Sequence, residues 1–221
     1  MKKLSKRLLT IADMVDDGAN IADIGSDHCS LPIYLFERGR IKHAFAVENK
    51  KGPYARMKKA IDDSKFPIIP SLSDGLDELP ENVDTIILAG MGGNLIIDIL
   101  KKWNNKTRSV ETIIVDAHND RPKLTKYLSE NGFSLAMNEF ISDGGKHYDV
   151  MKWKRSNSIP SYSELEIKYG PLNIRKKPEE WKKWLQNQID AINISIGNID
   201  QKNGRRKELE GERREMEELL K

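Results

Sequence analysis

A short apolar run near the N-terminus, Ile21-Ala22-Asp23-Ile24, leads into Gly25-Ser26-Asp27-His28-Cys29. Two carboxylates, a hydroxyl, an imidazole and the chain's single thiol thus fall within seven residues. Carboxylates and imidazoles at such a site move protons or steady a developing positive charge. The thiol has no evident activating partner and reads as packing. Four more clusters of this kind follow: Glu48-Asn49, Ser73-Asp74-Gly75, Gly90-Met91-Gly92-Gly93, and Asp116-Ala117-His118-Asn119-Asp120. His43, His118 and His147 make no metal-ligand pattern with Cys29, so no metal is expected.

Each cluster ends an apolar run that reads as a strand: 21–24, 44–47, the weak pair 68–69 interrupted by Pro70, 85–89 and 111–115. Helical spacing fills the intervals at 3–16, 32–38, 54–64, 95–103 and 121–131. Strands apolar throughout and alternating with helices predict a parallel sheet covered on both faces. Residues 133–141 and 148–154 read as a closing antiparallel pair around Ser142-Asp143-Gly144-Gly145. In such a sheet, ligands bind beyond the carboxyl ends of the strands, where all five clusters lie.

The clusters also discriminate between ligands. Glu48 stands 23 residues after Gly25, a spacing that suits a carboxylate accepting the ribose hydroxyls. The first loop lacks the later glycines of GxGxxG, and Asp27 adds negative charge where a pyrophosphate would approach. NAD is therefore disfavoured. S-adenosylmethionine carries a ribose and an adenine, no phosphate, and cationic sulfonium and ammonium groups. Asp23 and Asp27 suit it. The expected cofactor residues are Asp23, Gly25, Ser26, Glu48, Asn49, Asp74, Gly75, Gly90, Met91 and Gly92, with Asp74 near the adenine amino group.

The 221-residue chain has a net charge of +3, unevenly spread. Residues 1–150 hold 21 Lys/Arg against 22 Asp/Glu, whereas residues 151–221 hold 16 against 12. A basic tail on a near-neutral body points to an anionic partner or to a solvated helical surface. No apolar run reaches the roughly 18 residues of a membrane span. The basic start, MKKLSKRLL, reads as an amphipathic helix rather than a signal peptide. With a lone cysteine, this predicts a cytoplasmic location. Leu185, Ile189, Ile192, Ile196 and Ile199 follow 4-3-4-3 spacing, a coiled-coil seam. Leu209, Arg213, Met216 and Leu220 repeat it out of phase, and Asn203-Gly204 lies between. Two antiparallel helices, 178–201 and 205–220, are expected, with one continuous helix as the alternative. The polar stretch 156–163 divides the chain into expected domains 1–155 and 156–221.

Several stretches resemble the bacterial tRNA N1-methyladenosine methyltransferases that act on adenine 22: LSKRLLTIADMV, DIGSDHCSLPIYL, AVENKKGP, SDGL, ILAGMGG, YDVMKW and YGPL. The resemblance covers most of the chain. It implies a Rossmann-like class I methyltransferase domain followed by an α-helical coiled-coil domain, with S-adenosylmethionine as methyl donor and tRNA as substrate. No obligate protein partner is evident in the sequence. Where family members tend to carry a Gln-Pro segment after the fifth strand, this chain reads Asp116-Ala117-His118-Asn119.

Methylation of adenine N1 creates a cation on the ring, so a carboxylate beside the base is useful, as is an acceptor for the amino proton. Asp27 and His28 are the catalytic candidates. Asp27 takes a proton, steadies the charge or caps the next helix; His28 positions the base, relays a proton or braces the loop. Phosphate contacts are expected from Lys2, Lys3, Lys6 and Arg7, from Arg175, Lys176, Lys177, Lys182 and Lys183, and from Arg205, Arg206 and Lys207. The competing readings are a methyltransferase for a small molecule or a protein, a non-catalytic module that binds S-adenosylmethionine or RNA, and a structural coiled-coil partner protein.

Overall fold

The computed structural model describes residues 4–103, 110–158, 160–200 and 203–221. Lys2 and Lys3 lie outside these residues. Helix α1 (Lys6–Met14) opens the chain, with Ser5 accepting the Leu8 N–H as its N-cap. Then come β1 (Ala19–Ile24), α2 (Ser30–Glu37), β2 (Ile41–Glu48), α3 (Lys51–Ser64), β3 (Ile68–Leu72), β4 (Thr85–Met91), α4 (Gly93–Lys102), β5 (Thr112–Ala117), α5 (Arg121–Glu130), β6 (Phe133–Asp143) and β7 (Lys146–Arg155).

The seven strands form one sheet in the order β3-β2-β1-β4-β5-β7-β6. β1 to β5 pair in parallel, whereas β7 is antiparallel to both β5 and β6. Strand alternation sends Ile86 and Leu88 to one face and Ile87 to the other. The first face, with Ile24, Ile113 and Val115, packs on Ile96 and Leu100 of α4 and Leu124 and Leu128 of α5. The second, with Ile21, Ala46 and Ile114, packs on Ile11 of α1, Leu35 of α2 and Met57 and Ile61 of α3. The continuous apolar runs of the sequence thus become strands buried on both sides. β3 runs on through Pro70, which lies opposite Ala46. β3 is an edge strand, the place in a sheet where proline is tolerated.

Chain order reverses between β1 and β4, so a crevice opens where these two strands end. The β6–β7 hairpin turns at Gly144-Gly145, both with positive φ, and its strands are longer than the sequence predicts.

Beyond β7 the chain forms α6 (Glu164–Tyr169), α7 (Pro171–Lys176), α8 (Glu179–Gly197) and α9 (Gly204–Leu220). The α8 seam residues Leu185, Ile189, Ile192 and Ile196 are buried with Leu209 and Met216 of α9. Arg206 donates to the carbonyls of Ile196 and Ile199, and Arg213 to Asn193. The helices are therefore antiparallel, and the continuous-helix alternative is excluded. The six-residue helices α6 and α7 had no counterpart in the sequence reading. They seat the hairpin on the sheet: Trp181 is fully buried, its indole N–H donating to the Tyr169 carbonyl at 3.1 Å, and Trp184 meets Phe140 of β6 with ring centroids 5.7 Å apart.

Candidate active site

The first loop is held in shape by β2. Gly25 and Ser26 both donate their N–H groups to the Val47 carbonyl, at 2.9 and 3.2 Å. The Asp27 N–H donates to Glu48 Oε1 at 2.6 Å. Asp27 and Cys29 both lie in the left-handed region, at φ 44° and 51°. Two non-glycine residues so placed in one tight loop are a strained arrangement that the surrounding bonds must maintain. Cys29 is the N-cap of α2, and no side chain caps this helix. Capping by Asp27 is thereby ruled out. The Asp27 carboxylate faces sideways instead. Arg56 of α3 places Nε and Nη2 at 3.0 and 2.7 Å from Oδ1, and His28 Nε2 lies 3.6 Å from Oδ2.

Asp23 is buried one position before the end of β1, and Ser26 Oγ donates to it at 2.6 Å. Burial, aided by the charge of Glu48, pushes its carboxyl up to about 6, against the pull of Ser26 and Arg7. Burial also pushes the Cys29 thiol up to about 12, helped by Asp23, so this cysteine is no nucleophile at neutral pH.

Arg7 departs most from its expected role as a phosphate contact. Its backbone N–H donates to Asp143 at 2.9 Å, and its guanidinium turns inward. There it lies 3.2 Å from the fully buried Asp116 carboxylate and 5.4 Å from the Tyr148 ring centroid. A Cβ added at Gly90 would meet it at 3.2 Å, so the glycine leaves the space that the guanidinium fills. Burial raises the Asp116 carboxyl above the usual carboxylate range, and Arg7 opposes the rise.

The fourth and fifth loops are knitted together. Asn119 accepts the Gly93 N–H through both its carbonyl and its side chain, each at 3.2 Å, and the His118 N–H donates to the Met91 carbonyl. A Cβ on Gly93 would sit 2.6 Å from the Asn119 carbonyl oxygen. Close approach of two loops, rather than a turn alone, explains this glycine. Asp74 points across to Lys102 of α4 at 2.8 Å, which holds its carboxyl below the usual range. Gly75, at φ 74°, packs against Ile99.

A cavity of about 210 Å³ lies in the crevice, lined by Arg7, Asp23, Gly25, Ser26, Asp27, His28 and Ala89 among others. Around the strand ends, Asp23, Asp27, Glu48 and Asp116 face two cations, Arg7 and Arg56. This excess of carboxylate fits a cationic ligand and opposes a pyrophosphate. Glu48 is buried with Oε2 not used by the Asp27 contact. No group of three or more His, Cys, Asp or Glu that could hold a metal occurs among the described residues. Nor is any helix there long and apolar enough to cross a membrane.

Residues 4–151 match the family described as "Methyltransferase domain". A Bacillus subtilis protein named tRNA (adenine(22)-N(1))-methyltransferase is 31% identical over 192 residues, spanning 83% of this chain and 81% of that protein. The chain belongs to this methyltransferase family. Solved structures agree in fold. The B. subtilis m1A22 tRNA methyltransferase TrmK superposes with a TM-score of 0.89 at 26% identity, covering 100% of both chains. A Streptococcus pneumoniae protein, a candidate tRNA (m1A22) methyltransferase solved with S-adenosyl-L-methionine, superposes with a TM-score of 0.90 at 30% identity, covering 99% of this chain and 100% of that one.

In this family member the cations expected to touch tRNA are differently engaged. Lys6 and Lys176 are exposed, and Lys177, half-buried, ends α7. Arg175 is exposed and pairs with Glu166 at 3.0 Å, as Arg205 pairs with Glu208 at 2.8 Å. Lys182 and Lys183 pair with Glu179 and Glu180 within α8. Arg206 is a hairpin clamp, bound to Glu210 and two carbonyls. Of the cations beside the pocket, sequence reasoning missed Arg56 and grouped Arg7 with outward-facing phosphate contacts. Their partners lie 29 or more positions away, beyond any periodicity signal.

Proposed function

We propose that the protein transfers a methyl group from S-adenosylmethionine to N1 of adenine 22 in tRNA. The observation that carries this is the 31% identical relative of that name, aligned over four-fifths of both chains, body and tail together. The carboxylate-rich crevice supports it independently, because donor and methylated base are both cationic. When bound, S-adenosylmethionine supplies an activated methyl group. Glu48, through Oε2, would accept ribose hydroxyls, and Gly25 and Gly90 would allow close approach of the backbone. Asp23 would offset positive charge at the methionine end. Asn49, Asp74 and Gly75 would border the adenosine.

Asp27 and His28 are assigned to the target base. Arg56 fixes Oδ1 of Asp27, which leaves Oδ2 beside His28 to steady positive charge as N1 is alkylated. Orientation of the base in line with the methyl group is the larger task, and the rigid first loop serves it. Exposed cations of the tail, with Lys6, would hold phosphates. A tRNA-directed activity supports a cytoplasmic site of action.

The test supplies unmodified tRNA and S-adenosylmethionine labelled in the methyl group. Label enters tRNA with adenine at position 22 and not tRNA with guanine there. Equal labelling of both would overturn the assignment of the target.

A further inference from the structure

A second cavity adjoins the first. Ile33, Tyr34 and Glu37 share one face of α2, and Ala60, Asp63 and Ser64 share the facing side of α3. With Phe66 they line a groove of about 600 Å³, within the range of roughly 300–1,000 Å³ that takes a small organic ligand. His28 and Ser30 line both cavities, so the groove is continuous with the pocket assigned to the target base.

Aromatic rings with packed partners form its walls. The Phe66 ring stacks on Phe36, with centroids 5.4 Å apart and planes within 10°. The Tyr34 ring is braced by the Arg38 guanidinium at 5.2 Å. Apart from His28, the ionisable acids and bases of the lining are Glu37, Asp63 and the Tyr34 phenol. Inside the groove a phosphodiester would meet the Glu37 carboxylate, whereas Asp63 is balanced by Lys59 at the rim. A nucleobase offers a flat face for an aromatic ring and amino groups for a carboxylate, and a ribose offers hydroxyl donors. Lys59 beside Asp63, at 2.9 Å, and Arg38 beside Tyr34 stand where flanking phosphates could be met.

We propose that the groove between α2 and α3 holds a second nucleoside of the tRNA, one that flanks the target adenosine, against Tyr34 and the carboxylates of Glu37 and Asp63. This rests on the proposed methylation of tRNA and adds how the target is selected. A base taken out of its stack leaves an unstacked neighbour. The groove receives that neighbour while the target enters the adjoining pocket.

The experiment uses the full chain and tRNAs carrying 2-aminopurine at either nucleotide flanking adenine 22. Its emission changes when the base leaves the helical stack. Binding of the unaltered protein changes emission at one flank. Tyr34→Ala abolishes that change and raises the tRNA Kd roughly tenfold, the size of one lost base–aromatic contact. Its affinity for S-adenosylmethionine stays unchanged. Ala60→Leu narrows the groove from α3 without touching Tyr34 and gives the same loss, should Tyr34→Ala fold poorly. Unchanged emission at both flanks with the unaltered protein, or an emission change that survives both substitutions, overturns the proposal. An emission change without methyl transfer would instead count against the methylation reading alone.

Discussion

The Arg7 guanidinium on α1 lies 3.2 Å from the fully buried carboxylate of Asp116 at the end of β5. This contact joins the first helix to the far side of the crevice and places a cation between Asp116 and Asp23. Arg7→Ala strands a buried charge, a change that costs about 3–5 kcal/mol. Urea denaturation should show that loss, and Asp116→Asn in the same chain should recover part of it. No recovery would mean that Arg7 acts through packing on Tyr148 instead.

Asp23 makes stability depend on pH in an unusual direction. Burial raises its folded-state value from 3.8 to about 6. A raised value means that the folded protein holds this proton more tightly than the unfolded chain does. The penalty for ionising Asp23 is therefore absent below about pH 4, grows as pH rises to about 6, and is constant above. Relative to Asp23→Asn, the protein should lose about 3 kcal/mol across that window. Denaturation of both chains at several pH values measures it, and a stability difference that rises with pH would contradict the account.

The same ionisation governs the ligand. A cationic donor favours ionised Asp23, so affinity for S-adenosylmethionine should fall below about pH 6, and Asp23→Asn should flatten the profile. Glu48→Gln keeps an acceptor but removes its charge, worth about 1.5–3 kcal/mol for a charge-assisted bond. Calorimetry should show the Kd for S-adenosylmethionine rise by roughly 10–100-fold. An unchanged Kd would remove Glu48 from the cofactor site.

Lys176 is the last residue of α7 and Lys177 is its C-cap. Replacing either with Gln should weaken tRNA binding uniformly and reduce the salt slope by about one. Binding of S-adenosylmethionine should not move. A slope that stays the same would show that the tail's basic charge is only a solvated surface.

The parts legible in the sequence were those written in local periodicity. The apolar runs ending in Asp23, Glu48, Gly90 and Asp116 became neighbouring strand ends, because alternation alone buries such runs on two faces. The Leu185–Ile196 seam became the buried stripe of α8 for the same reason. What stayed hidden was set by distant partners. Arg7 was grouped with surface lysines because its helix is basic; only the fold brings Asp116 beside it. Arg56 sits on an otherwise ordinary charged helix, yet it fixes Asp27. The helices α6 and α7 are too short to carry a period, and Pro70 cut the third strand short at Ile69 in the sequence reading, whereas β3 runs on to Leu72.

Site-resolved mass analysis of the product decides whether N1 of adenine 22 is the methylated atom. Unmodified tRNA is incubated with the protein and S-adenosylmethionine, digested, and its methylated nucleoside located. The expected product is 1-methyladenosine at position 22, with Asp27→Ala reducing its rate of formation while S-adenosylmethionine still binds. Methylation at another position or atom, or none despite bound donor, would contradict it.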